Sequence, residues 1–262
     1  ATPFYLPLLA LQPRNPEYNY KYGACLLHNS ANRKDAFKYL DFATSSKDVN
    51  ADAYYFMGKA FHLNYQFEKA ISFYQEYQVK SKGKINKAWE LDRQIQSCKN
   101  GKQLLKNVSD IVVFEKKSAL ETSFYSEYDL SEIGGDILIS DTDQSKVDKK
   151  KAHRPLIYFP PNAKRVFFGS YGNSETTGKD IYVKNRNSDG SWSKPELVQG
   201  AVNSEYDEDY PFMDVKNGYL YFSSKGHNSM GGFDIFKSKY DAISNSFGAP
   251  ENLDFAISST DN

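Results

Sequence analysis

The sequence predicts an α+β chain of two domains, an N-terminal α-solenoid over residues 1–107 and an incomplete all-β propeller over residues 108–262. Three observations predict it. Two helix-pair segments repeat 34 to 35 residues apart in the first part, a strand, glycine loop and strand repeat at an offset of 54 in the second, and the charge changes sign between the two.

The helical repeats come first in the chain. "NPEYNYKYGACLLHNSANRKDAFKYLDFATSSKD" superposes on "ADAYYFMGKAFHLNYQFEKAISFYQEYQVKSKG", with Tyr22-Gly23 on Met57-Gly58, Leu26 on Phe61, Ala36 on Ala70 and Phe37 on Ile71. This is the tetratricopeptide period, in which two helices of each repeat cross closely at small residues. Gly23 is expected against Ala36 and Gly58 against Ala70. "FYLPLLALQPRNP" reads as the second helix of an earlier repeat, with Pro13 ending it and Pro16 starting the next. Its start in mid-helix implies sequence before residue 1. Ile85, Trp89, Ile95 and Leu104-Leu105 have helical spacing and are expected to cap the stack.

Beyond residue 107 the pattern changes to short β-type runs, "IVVF", "DILIS", "LIYF", "RVFFGS", "DIYVK", "YLYFSS" and "DIFKS", separated by Gly, Asn, Asp and Ser. "RVFFGSYGNSETTGKDIYVKN" aligns without a gap on "GYLYFSSKGHNSMGGFDIFKS". Phe168 pairs with Phe222, Ser170 with Ser224, Gly172 with Gly226, Gly178 with Gly232, Asp180 with Asp234 and Ile181 with Ile235. A fainter copy, "ETSFYSEYDL", lines up with "VNSEYDEDYP". Units of about 50 residues with several strands each predict propeller blades, about three of them here.

Composition bounds the function classes. The chain is 40% hydrophobic and 15% aromatic, with 20 Tyr and 18 Phe against two Trp, enough for packed cores. Lys plus Arg equals Asp plus Glu at 33 each, so nucleic acid is not an expected partner. The balance conceals a split of 16 basic and 9 acidic residues to Asn107, then 17 basic and 24 acidic. No apolar run approaches the roughly 18 residues of a membrane helix, so no transmembrane segment is expected. Cys25 and Cys98 have neither CxxC nor histidine-rich spacing and read as buried thiols rather than metal ligands or a redox pair. No cofactor is expected.

The stretch "FSSKGHNSMGGFDIFKS" from Phe222 combines histidine, serines and glycines as many active-site loops do. Its spacing fails the nucleophile elbow, since His227 stands where glycine is needed before Ser229, and no GxGxxG or Walker pattern fits. The other copy replaces His227 by Asn173 and Met230 by Thr176 but keeps the glycines and Asp. Gly178, Gly232, Gly172 and Gly226 are therefore expected to permit positive φ, and Asp180 and Asp234 to accept backbone N–H groups at the strand start. His227, not required by the repeat, is expected on an exposed loop tip where a partner can touch it. "DTDQSKVDKKKA" from Asp141 fails as a calcium loop, with Lys146 at the glycine position and Ala152 at the glutamate position, and reads as a solvated, mobile insertion. The acidic "EYDEDYP" from Glu205 reads as a linking segment whose carboxylates bond backbone and Tyr hydroxyls.

In the solenoid, the first helix of each repeat places Glu17, Tyr20, Ala24, Leu27 and His28 in one row and Asp52, Tyr55, Lys59, His62 and Leu63 in the next. Tyr20, His28, Tyr55, Lys59 and His62 are the expected partner contacts of that face. Either a peptide groove or packing against a neighbouring subunit or the propeller accounts for tyrosines among a few polar groups. No catalytic constellation is expected.

"NPEYNYKYGACLL", "YYFMGKAFHLNYQFEKAISFYQEY", "NSEYDEDYPF", "LYFSSKGHNSMGGFDIFKS" and "PENLDFAIS" together resemble a family of Bacteroidota envelope proteins. These join tetratricopeptide repeats to a TolB-like or WD-type β-propeller and usually to a C-terminal OmpA-like domain, the architecture of PorE-like components of the type IX secretion system. The resemblance implies a periplasmic protein associated with the outer membrane, a non-catalytic scaffold or adaptor binding protein subunits of an envelope complex of the secretion or gliding machinery. Peptidoglycan would be reached through an OmpA-like domain that residues 1–262 do not include. The alternative class is a ligand-binding or hydrolase-associated propeller with substrate in its central channel.

Overall fold

The computed structural model describes residues 2–28, 30–107, 118–120, 124–174, 178–255 and 257–261. The expected "IVVF" strand, Ser123 of the faint copy and Thr176 of the first repeat lie outside them. Ala1–Lys106 with Thr260–Asn262 form one compact unit, and Asn107–Ser259 form a second.

The helical unit is built from α1 (Thr2–Leu11), α2 (Pro16–Leu27), α3 (Ala36–Thr44), α4 (Asp52–Leu63), α5 (Phe67–Lys80) and α6 (Leu91–Leu104), each packed on the next. Asn15 caps α2, its side chain accepting from the N–H groups of Glu17 and Tyr18, with Pro16 pre-set for the first turn. A Cβ on Gly23 would meet the expected Ala36 at its carbonyl oxygen, 3.3 Å away, but the closest approaches at both glycines fall one turn further on. A Cβ on Gly23 would stand 2.8 Å from Leu40 Cγ, and one on Gly58 2.7 Å from the Tyr74 ring. Leu40 and Tyr74 are fully buried and stand in equivalent places of the two repeats. A third such crossing, Gly101 against the Phe67 ring, joins α6 to α5.

The last helix starts later than the spacing of Ile85 and Trp89 predicts. Lys87–Trp89 is a single 3-10 turn, and Glu90, at φ 47°, breaks the chain direction before α6 begins at Leu91. That break turns the Trp89 ring onto Tyr55, stacked at 4.2 Å between centroids. Cys98 is buried in the core with its thiol pushed up to about 12 by burial, and Cys25 is half-buried.

The second unit contains β1 (Asp136–Ile139), α7 (Lys146–Lys150), β2 (Leu156–Phe159), β3 (Arg165–Ser170), β4 (Asp180–Asn185), β5 (Glu196–Leu197), β6 (Glu208–Asp214), β7 (Tyr219–Ser224), β8 (Asp234–Asp241), β9 (Ser246–Phe247) and β10 (Glu251–Asn252). The two copies of the repeat fold alike as hairpins. Ser170 pairs with Asp180 and Phe168 with Tyr182 in β3–β4, and Ser224 pairs with Asp234 and Phe222 with Phe236 in β7–β8.

The expected solenoid followed by a propeller is corrected here. The chain is mixed helix and sheet, and its described strands form three small sheets with no closed barrel or propeller: β1-β2, β3-β4-β5, and β10-β8-β7-β6 with β9 also on β8. Repeated hairpins do not by themselves make a ring, because closure depends on how many like sheets stand side by side. The copies differ at their outer edges. β7 gains β6 as a neighbour, whereas the strand preceding β3 pairs with β1 instead.

The insertion at Asp141 keeps an exposed outer face, at Asp141, Thr142, Lys146, Lys149 and Lys150, but it also forms a short helix with a buried side. Ser145 and Asp148 form a reciprocal capping box on α7, and Val147 and Asp148 are buried. The glycine expectation also changes. Of the four repeat glycines only Gly172 has positive φ, at 62°. Gly178 is required by close approach, since a Cβ there would lie 2.5 Å from the Tyr206 carbonyl carbon, and one on Gly226 would lie 2.2 Å from Ser204 Oγ. In the second copy His227 takes the left-handed conformation, at φ 52°.

Candidate functional site

The helical unit carries a groove of about 550 Å³ where the end of α2, the turn after it, the middle of α4 and the 3-10 turn at Trp89 converge. Its wall is apolar and aromatic, from Leu27, Phe56, Leu63 and the stacked Tyr55–Trp89 pair. Its polar groups are His28, Arg33 and Lys59. The Tyr55 hydroxyl donates to the Trp89 carbonyl at 3.4 Å, which ties the turn to α4, and burial pushes that phenol up to about 12.

Lys59 is largely buried. Its Nζ donates to Gln94 Oε1 at 3.4 Å, and burial, with Arg93 nearby, lowers its pKa from the ordinary lysine value. Arg33 Nη1 donates to Asp261 Oδ2 at 2.7 Å, and Thr260 Oγ1 faces the Leu63 carbonyl at 3.5 Å. Thr260 and Asp261, from the far end of the sequence, thus complete the lining of the groove.

Of the contacts expected on this face, His28, Tyr55 and Lys59 line the groove, and Tyr20 and His62 do not. Tyr20 is only 5% exposed and stacks on Phe56 between helices, so the spacing that places it in the row points it into the core. His62 is fully buried, with Nδ1 3.4 Å from the Tyr74 hydroxyl and its ring edge-on to Phe67. Both are packing residues of α2 and α4. Arg33, Trp89, Thr260 and Asp261 were not legible as site residues. Trp89, one of only two tryptophans, was the sole available signal, since Arg33 sits in an irregular turn and Asp261 lies 228 residues away.

The repeated loop of the β unit is a structural lock. Ser170 Oγ donates to Asp148 Oδ2 and accepts from Gly172 N, while Ser224 Oγ donates to Glu208 Oε1 and accepts from Gly226 N. Each carboxylate also holds a serine upstream of it, Asp148 through Ser145 N and Glu208 through the N–H and hydroxyl of Ser204. Burial pushes Glu208 up to about 6. Burial also pulls on Asp148, but bonds from Ser170, Tyr171 and Ser145 outweigh it and hold that carboxyl below the usual range.

His227 is not a free loop tip. Its side chain is 16% exposed, its Nε2 lies 2.8 Å from the Val202 carbonyl, and its ring packs on Phe222 and Phe236. Burial lowers its pKa. Asp234 accepts Met230 N as expected, and Asn252 Nδ2 as well, but its second oxygen is buried with no hydrogen-bond partner among the described residues, and burial pushes the carboxyl up to about 6. Asp180 is buried at the start of β4, and Gly232 contributes its carbonyl to the Ser229 hydroxyl. In "EYDEDYP" the carboxylates take backbone N–H groups as expected, Glu208 from Ser204 and Asp209 from Tyr210, together with lysine and serine side chains. Asp207 takes Lys179 N and Lys225 Nζ, Asp209 pairs with Lys179 Nζ, and Glu208 takes the serines. Among the described residues no group of three or more His, Cys, Asp or Glu is placed to hold a metal ion, and no helix is long and apolar enough to cross a membrane.

Comparison with protein-family models, with curated proteins and with solved structures finds no match to this chain.

Proposed function

We propose that the protein is a non-catalytic adaptor that holds an extended segment of a protein partner in the groove of its helical unit. One observation carries the reading: the groove wall of Tyr55, Trp89, Phe56 and Leu63, edged by Arg33 and Lys59, is already met by a distant stretch of polypeptide at Thr260 and Asp261, which bond to Arg33 and to the Leu63 carbonyl. Aromatic rings with few rotatable bonds give large contact area at small entropic cost, and Arg at the edge fixes orientation. The polar residues of the β unit that looked most reactive are engaged in its hairpin lock, so they support a structural role for that unit.

The envelope setting is part of the same proposal. The phrases "NSEYDEDYPF" and "GGFDIFKS" support a subunit of a Bacteroidota cell-envelope assembly of the type IX secretion or gliding kind, on the periplasmic side of the outer membrane. The experiment is photo-crosslinking in the cell of origin, with the reactive amino acid at His28 on the groove edge or at Ile243, which is 98% exposed on the β unit. Discrete protein adducts at His28, lost when Trp89→Ala is added, are the expected result. No adduct at any groove position would overturn the adaptor reading.

A further inference from the structure

We propose that the groove is a receptor for an acidic side chain, and that the chain's own Thr260–Asp261 is a resident occupant which a partner's acidic segment displaces. This rests on the reading of the groove as the partner site and names the chemistry of what enters it.

Three observations lead to it. First, Arg33 and Arg93 both lie near enough to Lys59 to act on its charge, as does the carboxylate of Asp261, which pairs with Arg33. Arg93 is already paired with Glu90 at 2.7 Å, whereas Lys59 donates to the neutral Gln94 and has no carboxylate within ion-pair distance among the described residues. The groove thus holds more positive charge than Asp261 offsets. Second, the Arg33 guanidinium is incompletely used. Asp261 takes Nη1, but Nε is buried and has no hydrogen-bond partner among the described residues. A buried unpaired donor is costly, and a carboxylate that spans two guanidinium donors removes that cost. Third, the resident is open to solvent: the Asp261 side chain is 48% exposed, and Thr260 Oγ1 stands 3.5 Å from the Leu63 carbonyl.

The physical consequence is competition. A tethered segment has a high effective concentration and masks the groove from weak ligands, while a partner segment with a better-placed Asp or Glu gains the unused donor and displaces it. Partners are then selected by an acidic residue preceded by a small hydroxyl residue, as in Thr260-Asp261.

The test uses the full chain and a fluorescent peptide of the sequence Ile257 to Asn262, with or without its aspartate changed to asparagine, measured by anisotropy. The Asp261→Asn chain is expected to bind the acidic peptide at least about fivefold more tightly than the unaltered chain, because the resident carboxylate no longer competes. Adding Arg33→Gln is expected to weaken that binding about tenfold, the usual scale for a charged hydrogen bond. An unchanged melting midpoint shows that Arg33→Gln still folds, and a fall in affinity with added salt in the Asp261→Asn chain reads the same charge term without that variant. Equal binding of acidic and neutral peptides would overturn the acidic receptor and leave the groove as a partner site. Equal affinity of the Asp261→Asn and unaltered chains would overturn the competition. Failure of both peptides, with His28 photo-adducts still forming, would also overturn the acidic receptor alone. Failure of both together with the adducts would remove the partner site as well.

Discussion

Asp148→Ala is expected to destabilise the β unit by about 3–5 kcal/mol, the cost of removing one side of a buried charged hydrogen-bond network. Asp148 is fully buried and accepts from Ser145 N, Ser170 Oγ and Tyr171 N, so alanine leaves three donors without their acceptor. Chemical unfolding followed by far-UV dichroism measures the loss. The equivalent carboxylate of the second copy behaves differently with pH. Asp148 is held below the usual carboxylate range, so its contribution is present above the unfolded-state value and is lost as pH falls through its lower folded value. Glu208 and Asp234 are pushed up to about 6, so the folded state binds their protons more tightly than the unfolded chain does. Their burial penalty is absent below the unfolded values, near 4, and grows as pH rises to about 6, amounting to about 2 kcal/mol for Glu208 and about 3 kcal/mol for Asp234. The stability of the β unit should therefore rise as pH falls from about 6 to about 4 and fall again in stronger acid, as Asp148 is protonated. Asp234→Asn should flatten the upper part of that profile, because the amide keeps the acceptor for Met230 N and Asn252 while removing the buried charge. A profile that Asp234→Asn leaves unchanged would contradict the assignment.

Gly58→Leu is expected to cost about 3 kcal/mol or more, as overpacking does where neither neighbour can move. The added Cβ alone would meet the Tyr74 ring at 2.7 Å, and that ring is fully buried against Tyr55 and the His62 imidazole. Because Tyr55 forms the groove wall with Trp89, the same substitution should lower affinity for a partner even under conditions where the chain stays folded. Gly83→Ala provides the comparison. Its φ is +80° but no atom lies within 4 Å of the added Cβ, so it should cost only about 1 kcal/mol of backbone strain. Thermal unfolding of the two variants side by side distinguishes a packing cost from a conformational one.

The repeats were legible because identical offsets in sequence mean equivalent positions in space. Gly23 and Gly58, and the hairpins ending at Ser170 and Ser224, fold as copies of one another. Which side chain fills the space at each glycine was misjudged by one helical turn, since Leu40 and Tyr74 reach back over the preceding turn toward the positions assigned to Ala36 and Ala70. The architecture of the β part was not legible, because hairpin repeats leave open which outer strand joins each hairpin. β6 joins β7, while β2 pairs with β1 rather than β3.

The same limit applied to individual side chains. Spacing alone put Tyr20 and His62 on a binding face, but a helix between two others buries more than one stripe, and both turn into cores. His227 was read as free because the other copy lacks it, yet variation between copies does not mean exposure. Its ring fills space beside Phe222 and Phe236. Asp148 lies in the run that reads as a solvated insertion, yet its side chain forms a reciprocal capping box with Ser145 and is buried. The Arg33–Asp261 pair joins residues far apart in the chain and no local pattern carries it.

The most direct test of the account is hydrogen exchange on the full chain, alone and with the protein that the His28 photo-adduct identifies. The account predicts added protection at the end of α2, through the turn containing Arg33, along α4 and at Lys87–Trp89, with faster exchange at Thr260 and Asp261 as the resident segment leaves the groove. Protection confined to the β sheets, with the groove and Asp261 unchanged, would contradict it.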